Sequence, residues 1–206
     1  KQALGQKIQV LTGINYYNYQ NPLDKNGDNF TDVTLQNRVS LFQKWSLKHS
    51  GNKHINLAAR YFYENRWGGE MEWNESYRGG TEKYGESIYT KRWELLGNAQ
   101  LPTNEDINLS FSFNNHNQDS YYGDLPFMAN QRISFAQLTW NKTLKNHDLL
   151  TGIAIRHTYY DDNTPATASP DDINLSVPED ILLPGVFIQD EIKIDEKQKL
   201  LLGYRF

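Results

Sequence analysis

Residues 33–47 read VTLQNRVSLFQKWSL, and the alternation in this stretch decides the fold class. One parity is mostly apolar, with side chains at Val33, Leu35, Val39, Leu41, Trp45 and Leu47. The other parity is mostly polar, and it includes Gln36, Arg38, Ser40 and Lys44. Successive side chains of a strand point to opposite faces of a sheet. The stretch therefore predicts a long strand with one apolar face and one polar face.

The same alternation recurs along the chain, most clearly at residues 55–63, 93–101 and 107–113. Weaker strands are predicted at residues 7–18, 133–141, 149–160, 186–194 and 200–206. Several of these segments exceed ten residues, whereas strands of globular proteins usually have about five or six. The pattern predicts an all-β protein, an antiparallel up-and-down meander of about nine or ten strands.

The connections between these strands alternate in length. Short polar turns are predicted at residues 48–54, 102–106, 144–148 and 195–198. Long connections, rich in aromatic and acidic residues, are predicted at residues 19–32, 67–87, 117–132 and 161–184. In a meander such an alternation places all the short turns at one end of the sheet and all the long connections at the other. This organisation is typical of outer-membrane β-barrels.

The composition is compatible with that prediction. A mean hydropathy of -0.74 and 38% hydrophobic residues suit a water-soluble protein, but a transmembrane strand needs only about 9–11 residues with every second one apolar. No segment approaches the roughly 18 apolar residues of a membrane helix, which excludes an α-helical membrane protein. The 13 Tyr, 9 Phe and 5 Trp suit interfacial girdles. A soluble β-protein with an aromatic core is the alternative.

Charge and motif content exclude other classes of function. The net charge is -4 and no basic stripe occurs, so no nucleic-acid partner is expected. The chain has no cysteine, hence no disulfide and no thiolate site. It also lacks a Ser-His-Asp arrangement, a His-x-x-x-His pair and a phosphate-binding glycine loop, so we expect no enzyme activity. Both termini lie in or near strand patterns, which predicts a segment of a longer polypeptide.

Residues 24–32, which we call the acidic loop, read DKNGDNFTD. Oxygen donors recur at Asp24, Asn26, Asp28 and Asp32, nearly as in the calcium-binding pattern D-x-[DN]-x-[DN]-G. Asn29 replaces the final glycine, and asparagine tolerates the left-handed conformation needed there. The carbonyl of Phe30 is a further candidate ligand. The alternative is an ordinary loop of Asx turns.

The twelfth position of that pattern is Leu35 rather than a glutamate, so remaining ligands must come from neighbouring loops. Acidic side chains that could contribute are Glu64, Glu70, Glu72, Glu86 and Asp124. The acidic pairs Asp161-Asp162 and Asp171-Asp172 lie beside prolines, which favours a loop over a second metal site.

Four segments resemble TonB-dependent outer-membrane receptors, particularly those of Bacteroidetes. They are NPLDKNGDNFTDVTLQNR at residues 21–38, RYFYENRWGG at 60–69, YTKRWE at 89–94 and PGVFIQDE at 184–191. The resemblance implies that residues 1–206 are part of a 22-stranded transmembrane barrel, without its plug domain and remaining strands. It also implies import of a scarce ligand (ferric siderophore, haem or cobalamin) across the bacterial outer membrane, with energy from TonB acting through the plug.

The resemblance extends to individual residues. Asp24, Asn26 and Asp28 match the calcium loop of cobalamin receptors, and Glu64 with Tyr63 resembles a second contributing pair. Asn26 replaces an acid, and Glu64 is longer than the family's aspartate. Large amphipathic side chains on the long connections are the candidate ligand contacts: Trp67, Trp73, Tyr77, Tyr84, Tyr121, Tyr122 and Phe127. The same aromatics would also serve in a girdle or in packing the loops together.

Two other functions fit the sequence pattern. A passive porin or smaller barrel would lack a plug, and a soluble calcium-dependent carbohydrate-binding β-domain would need no lipid. An isolated barrel segment has two unpaired edges and an apolar outer face, so we expect it to self-associate.

Overall fold

Ten antiparallel strands follow one another in chain order across a single sheet in the computed structural model, which describes residues 2–4, 7–48 and 53–206. They are β1 (Gln2–Leu4), β2 (Ile8–Tyr19), β3 (Leu35–Lys48), β4 (His54–Gly69), β5 (Gly85–Gln100), β6 (Asp106–Tyr122), β7 (Leu125–Leu144), β8 (His147–Asp162), β9 (Glu179–Lys193) and β10 (Lys199–Arg205). Helix in the described residues is limited to two single 3₁₀ turns, Glu75–Tyr77 and Pro165–Thr167. The all-β antiparallel meander is confirmed.

The sheet is open within the described residues. The first strand pairs with β2 alone and β10 with β9 alone, so the two ends of the meander do not meet. The strand that the sequence pattern missed is β1, which has only three residues. The short turn predicted at residues 48–54 falls mostly on residues 49–52, outside the described residues.

No helix in the described part of the chain has the length and apolar character needed to cross a membrane.

Most connections have the predicted lengths and positions. Residues 20–34, 70–84 and 163–178 form long connections at one end of the sheet, which we call the upper end. Residues 101–105, 145–146 and 194–198 form short turns at the lower end. The long connection predicted at residues 117–132 is wrong, because β6 and β7 are joined by Gly123 and Asp124 alone, with Gly123 at φ 64. Polar side chains lie on both faces at these ends of β6 and β7, so the alternation that predicts a strand is missing from the sequence.

The pairing register places the apolar positions of neighbouring strands on the same face of the sheet, which we call the apolar face. One row across it contains Leu57, Gly97, Phe111, Ala136, Ile155 and Pro184, each opposite the next. The opposite, polar face carries an ionic network in which Glu94 lies 3.6 Å from Arg60 and 3.5 Å from Arg92. Arg92 in turn donates to His116 over 3.3 Å. The two faces are therefore chemically distinct, as the alternation predicted.

Side chains of the apolar face are exposed instead of forming a core. Ile14 is 73% exposed, Ile153 57% and Trp93 45%. Among the described residues only Val10, Leu35, Ala58 and Trp73 are buried hydrophobic side chains. Exposed apolar surfaces of this extent are typical of proteins that contact lipid or another protein there.

The apolar face changes character towards the long connections. Above the apolar band its side chains become polar or amphipathic, and we call this part the upper tier: Asn65, Tyr89, Lys91, Asn117, Asp119, Asn130, Arg132 and Asp161. Two connections, 70–84 and 163–178, fold back over this tier. The candidate sites of the molecule lie here and on the long connections.

The lower turns are not level with the cross-strand rows, and their position shifts along the strand direction from one side of the sheet to the other. In the row of the apolar face described above, Leu57 lies three residues after the start of β4 at His54. Pro184, at the other end of that row, lies nine residues before the end of β9 at Lys193. The lower end of the sheet therefore shifts by six residues over five steps between strands.

Candidate functional site

The acidic loop is a tight turn closed by the carboxylate of Asp24. The backbone N–H of Gly27 donates to Asp24 Oδ1 over 2.7 Å, and that of Asn29 donates to Asp24 Oδ2 over 2.9 Å. Gly27 and Asn29 both have left-handed backbones, with φ of 77° and 69°. Asn29 thus takes the conformation for which the calcium pattern uses glycine, as predicted.

The other candidate oxygen ligands also accept hydrogen bonds from the backbone of the loop. Asp28 Oδ1 accepts from the N–H of Phe30 over 2.9 Å, and Asn26 Oδ1 accepts from the N–H of Asp28 over 3.2 Å. Asp32 Oδ2 reaches back to the N–H of Lys25 over 2.8 Å. Each of these oxygens has a second lone pair.

A β-bridge between Phe30 and Glu70 joins the acidic loop to the 70–84 connection. Its hydrogen bonds come from the flanking residues: Thr31 N donates to Gly69 O over 2.8 Å, and Met71 N donates to Asn29 O over 2.9 Å. The N–H and C=O of Phe30 therefore point away from Glu70, towards the side on which its N–H meets Asp28. The Phe30 carbonyl is thus directed to the loop, as a backbone ligand would be.

The donor chemistry of the loop, three carboxylates with one amide and one carbonyl, suits Ca²⁺. In the residues that the structure describes, no three His, Cys, Asp or Glu side chains converge as a metal-holding group. As it stands, the loop is a series of Asx turns whose side chains accept hydrogen bonds from the backbone of the loop.

Glu64 is not brought to the acidic loop. It lies on the polar face of β4 opposite Arg38, three rows below the Leu35–Trp67 pair, which is about 10 Å at about 3.3 Å per residue. There it accepts a hydrogen bond from Gln36. The acid nearest the loop in the chain topology is instead Glu70, whose Oε1 accepts from the N–H of Tyr84 over 2.7 Å.

Charged and phenolic groups tie the 70–84 connection together. Lys83 Nζ lies 2.6 Å from Glu72 Oε2, and this hydrogen bond, with the attraction of the two charges, lowers the pKa of Glu72 and raises that of Lys83. The Tyr84 hydroxyl donates to Glu86 over 2.9 Å, which raises the pKa of Tyr84. These groups are solvent-exposed, so they organise the loop more than they stabilise the fold.

A cleft of about 330 Å³ lies between the acidic loop and the upper end of the polar face. Its lining includes Phe30, Asp32, Arg66, Tyr84, Glu86 and Ile88. The cleft therefore brings one candidate calcium ligand, Asp32, beside a candidate ligand-binding aromatic, Tyr84. Its volume is within the range of small-molecule sites.

The seven candidate ligand-binding aromatics divide into two groups. Trp73 is only 4% exposed and packs against Trp67, with ring centroids 4.9 Å apart, while Tyr121 lies under the 70–84 connection. These three hold the connection against the sheet. The remaining four lie at the upper end with at least part of the side chain accessible: Tyr77, Tyr84, Tyr122 and Phe127.

Sequence reasoning missed Arg78, which anchors the 70–84 connection. Its guanidinium donates to Ser87 Oγ over 2.7 Å and to the side chain and carbonyl of Asp119 over 2.7 and 2.9 Å. The rings of Tyr89 and Tyr121 lie 4.3 and 4.5 Å from its charge. The only sequence signal is that Arg78 precedes a Gly-Gly pair in an aromatic-rich loop.

No protein-family model matches the chain. No curated protein and no solved structure matches it either. The resemblance to TonB-dependent receptors therefore stays a prediction from sequence.

Proposed function

We propose that this chain is a barrel segment of a TonB-dependent receptor of the bacterial outer membrane, which binds and imports a ferric siderophore, haem or cobalamin. The observation that supports it is a continuous band of apolar side chains, many of them exposed, across the lower part of one face, in a meander whose long connections share one end. The apolar band would contact lipid, and the polar face would line the interior that a plug fills.

The border of the apolar band agrees with this assignment. Tyr61 and Trp93 lie opposite each other where the face turns from apolar to polar, and they are 42% and 45% exposed. Tyr16 lies near the same level on β2 and is 62% exposed. Amphipathic rings at such a border are the girdle of a transmembrane barrel.

In the proposed receptor the cleft beside the acidic loop contributes to ligand capture. Arg66 supplies a fixed positive charge, and Tyr84, which is 45% exposed, supplies amphipathic contact area. Tyr122, which is 38% exposed, lies next to the cleft, opposite the lining residue Glu86. Calcium would be held by Asp24, Asn26, Asp28, the Phe30 carbonyl and Asp32, and when bound it would supply a positive charge that stiffens the loop. Because the Phe30–Glu70 bridge couples two connections, stiffening one also orders the other.

Spin labels will test the membrane placement. The chain contains no cysteine, so Ile153→Cys, Ala154→Cys and Ile155→Cys each carry a single nitroxide. In vesicles that contain the protein, we expect labels at 153 and 155 to collide mainly with dissolved oxygen, and the label at 154 mainly with a water-soluble nickel chelate. The reason is that Ile153 and Ile155 lie on the exposed apolar face, whereas Ala154 lies on the other face.

A label at Asp180→Cys provides the matched control for depth. Asp180 lies on the same face as Ile153 but in the upper part, opposite Tyr159, so its label should collide with the nickel chelate. Equal oxygen and nickel accessibility at 153, 154 and 155 would remove the transmembrane assignment.

Calcium titrations will test the role proposed for the acidic loop. We expect Asp24→Ala combined with Asp28→Ala to weaken Ca²⁺ binding at least 100-fold in calorimetric titration, because the variant loses two of three carboxylates. Calcium should slow amide exchange at Met71 in the wild type, through the bridge to Asn29, and should not do so in the variant. Cyanocobalamin, haemin and a ferric siderophore are then titrated with and without Ca²⁺, and we expect one to bind more tightly with it.

The double variant Asp171→Ala with Asp172→Ala is the matched control, because it removes the same number of charges from another long connection. Its calcium affinity should equal that of the wild type. Unchanged calcium affinity in the Asp24 and Asp28 variant would exclude the acidic loop as the site.

A further inference from the structure

A second and larger cavity lies on the side of the sheet opposite the polar-face cleft. It encloses about 800 Å³ between the upper tier of the apolar face and the 163–178 connection, which forms its roof. The roof is fixed by hydrogen bonds: Thr167 Oγ1 donates to Asp162 O over 2.7 Å, and Ser176 Oγ donates to Asp161 Oδ1 over 2.6 Å. Thr167 itself is only 2% exposed. The cavity is therefore bounded by an organised loop.

The floor of the cavity is a single cross-strand row. Lys91, Asn117, Asn130 and Asp161 stand opposite one another on four successive strands. Four strands span about 14 Å, at about 4.8 Å between neighbours. The floor is thus an extended polar track, long enough for a linear ligand of several units.

One group in this track lacks a partner. Asn130 donates through Nδ2 to Asn117, which fixes its amide, yet its Oδ1 is buried and accepts no hydrogen bond within the described residues. Asn117 in turn donates to Asn115 over 3.0 Å. A buried acceptor without a partner is costly, so Asn130 is the least satisfied polar group of the track.

The lining indicates the chemical class of a ligand for this cavity. Amides and carboxylates accept hydrogen bonds from hydroxyl groups, and Lys91 donates to hydroxyl oxygens. No excess positive charge awaits a phosphate or another anion in the cavity, because Lys91 shares a row with Asp161 and the carboxylate of Asp119 is paired with Arg78 at 2.7 Å. The ring of Tyr63 adds a flat apolar surface at one end. Neutral chains of polyhydroxylated rings match this combination.

We propose that this cavity binds a short neutral oligosaccharide, whose hydroxyl groups hydrogen-bond to the polar side chains of the Lys91–Asn117–Asn130–Asp161 track. The site is separate from the cleft proposed for the imported ligand, because it opens on the other face of the sheet. Free oligosaccharides and the sugars of a surface polysaccharide have the same recognition chemistry.

Calorimetric titration of the detergent-purified protein tests the proposal in two arms. The first uses maltotriose, cellotetraose and chitotriose, and the second uses delipidated core oligosaccharide from lipopolysaccharide. Binding in the first arm alone supports a free oligosaccharide as the source, and binding in the second supports a surface polysaccharide. Absence of binding in both arms at millimolar saccharide overturns the proposal.

Variants connect the binding to the cavity. Asn130→Leu and Lys91→Met should each weaken saccharide binding about tenfold, the effect of removing a hydrogen bond at a charged or buried group. Ala168→Trp, in the roof, should block the cavity without altering its floor. Lys197→Met, in a lower turn, is the matched control and should bind like the wild type. Wild-type affinity in both Lys91→Met and Ala168→Trp overturns the assignment to this cavity.

This test is independent of the receptor assignment. The double variant Asp24→Ala with Asp28→Ala should retain full saccharide affinity, because the acidic loop does not line the cavity. A loss of saccharide binding in that variant would contradict a separate site.

Discussion

Replacing Arg78 with alanine is expected to release the 70–84 connection from the sheet. The guanidinium makes three hydrogen bonds and lies between two tyrosine rings, and its side chain is only 16% exposed. A hydrogen bond to a charged group contributes about 1.5–3 kcal/mol, but Asp119 is half exposed and its ion pair is screened. We therefore expect the connection to lose about 3 kcal/mol of local stability.

Amide hydrogen exchange measures this release directly. The N–H groups of Tyr77 and Gly80 are bonded within the connection, both over 2.9 Å, and should exchange about 100-fold faster in the variant. The N–H of Val177, in the 163–178 connection, is the internal reference and should not change. Arg78→Lys keeps the charge but loses the planar fork, so it should give an intermediate rate. Unchanged exchange at Tyr77 and Gly80 would show that other contacts hold the connection.

Trp73 and Gly85 should form the most strongly coupled pair in the upper end. Trp73 is 4% exposed, and a Cβ on Gly85 would lie 2.5 Å from its ring. Trp73→Ala should cost about 3–5 kcal/mol, because it leaves a cavity under the connection. Gly85→Ala should cost about 1–3 kcal/mol, because the new methyl group and the indole cannot occupy the same space.

The double variant distinguishes this explanation from a general backbone effect. Once the indole is absent, the Gly85→Ala methyl has room, so the second substitution should add less than about 1 kcal/mol. Exchange protection of the Trp73 and Glu70 N–H groups provides the readout. Costs that simply add would mean that Gly85 is required for its backbone and not for the space it leaves to Trp73.

The sequence was most informative where one face of a strand is apolar and the other polar. The strand predicted at residues 33–47 is β3 at Leu35–Lys48, and the strand predicted at 7–18 is β2 at Ile8–Tyr19. Prediction failed in the upper tier. Strand β7 begins at Leu125 instead of residue 133, because Asn130 and Arg132 lie on the apolar face above the apolar band. The alternation of apolar and polar residues disappears where both faces of a strand carry polar side chains.

The candidate site was predictable only where its residues are close together in the sequence. The acidic loop has its oxygen donors within nine residues, and its conformation follows from Asx turns and two left-handed positions. Arg78 and Asp119 are separated by 41 residues and Asn117 and Asn130 by 13, so their association depends on cross-strand register. Register is set by the whole sheet, and no short motif encodes it.

The shift of the lower turns along the strand direction determines how far the strands tilt. A shift of six residues over five steps between strands corresponds to about 20 Å along the strands and about 24 Å across them. If the turns are level in the membrane plane, the strands lean by about 40°, within the range of about 35–45° found for transmembrane barrels. A leaning strand of 16 residues, such as β4, then rises about 40 Å. In the proposed receptor the lipid core would take up about 30 Å of that height. The remaining stretch would form a collar above the lipid and would offer a folded surface on both the inner and the outer side of the wall.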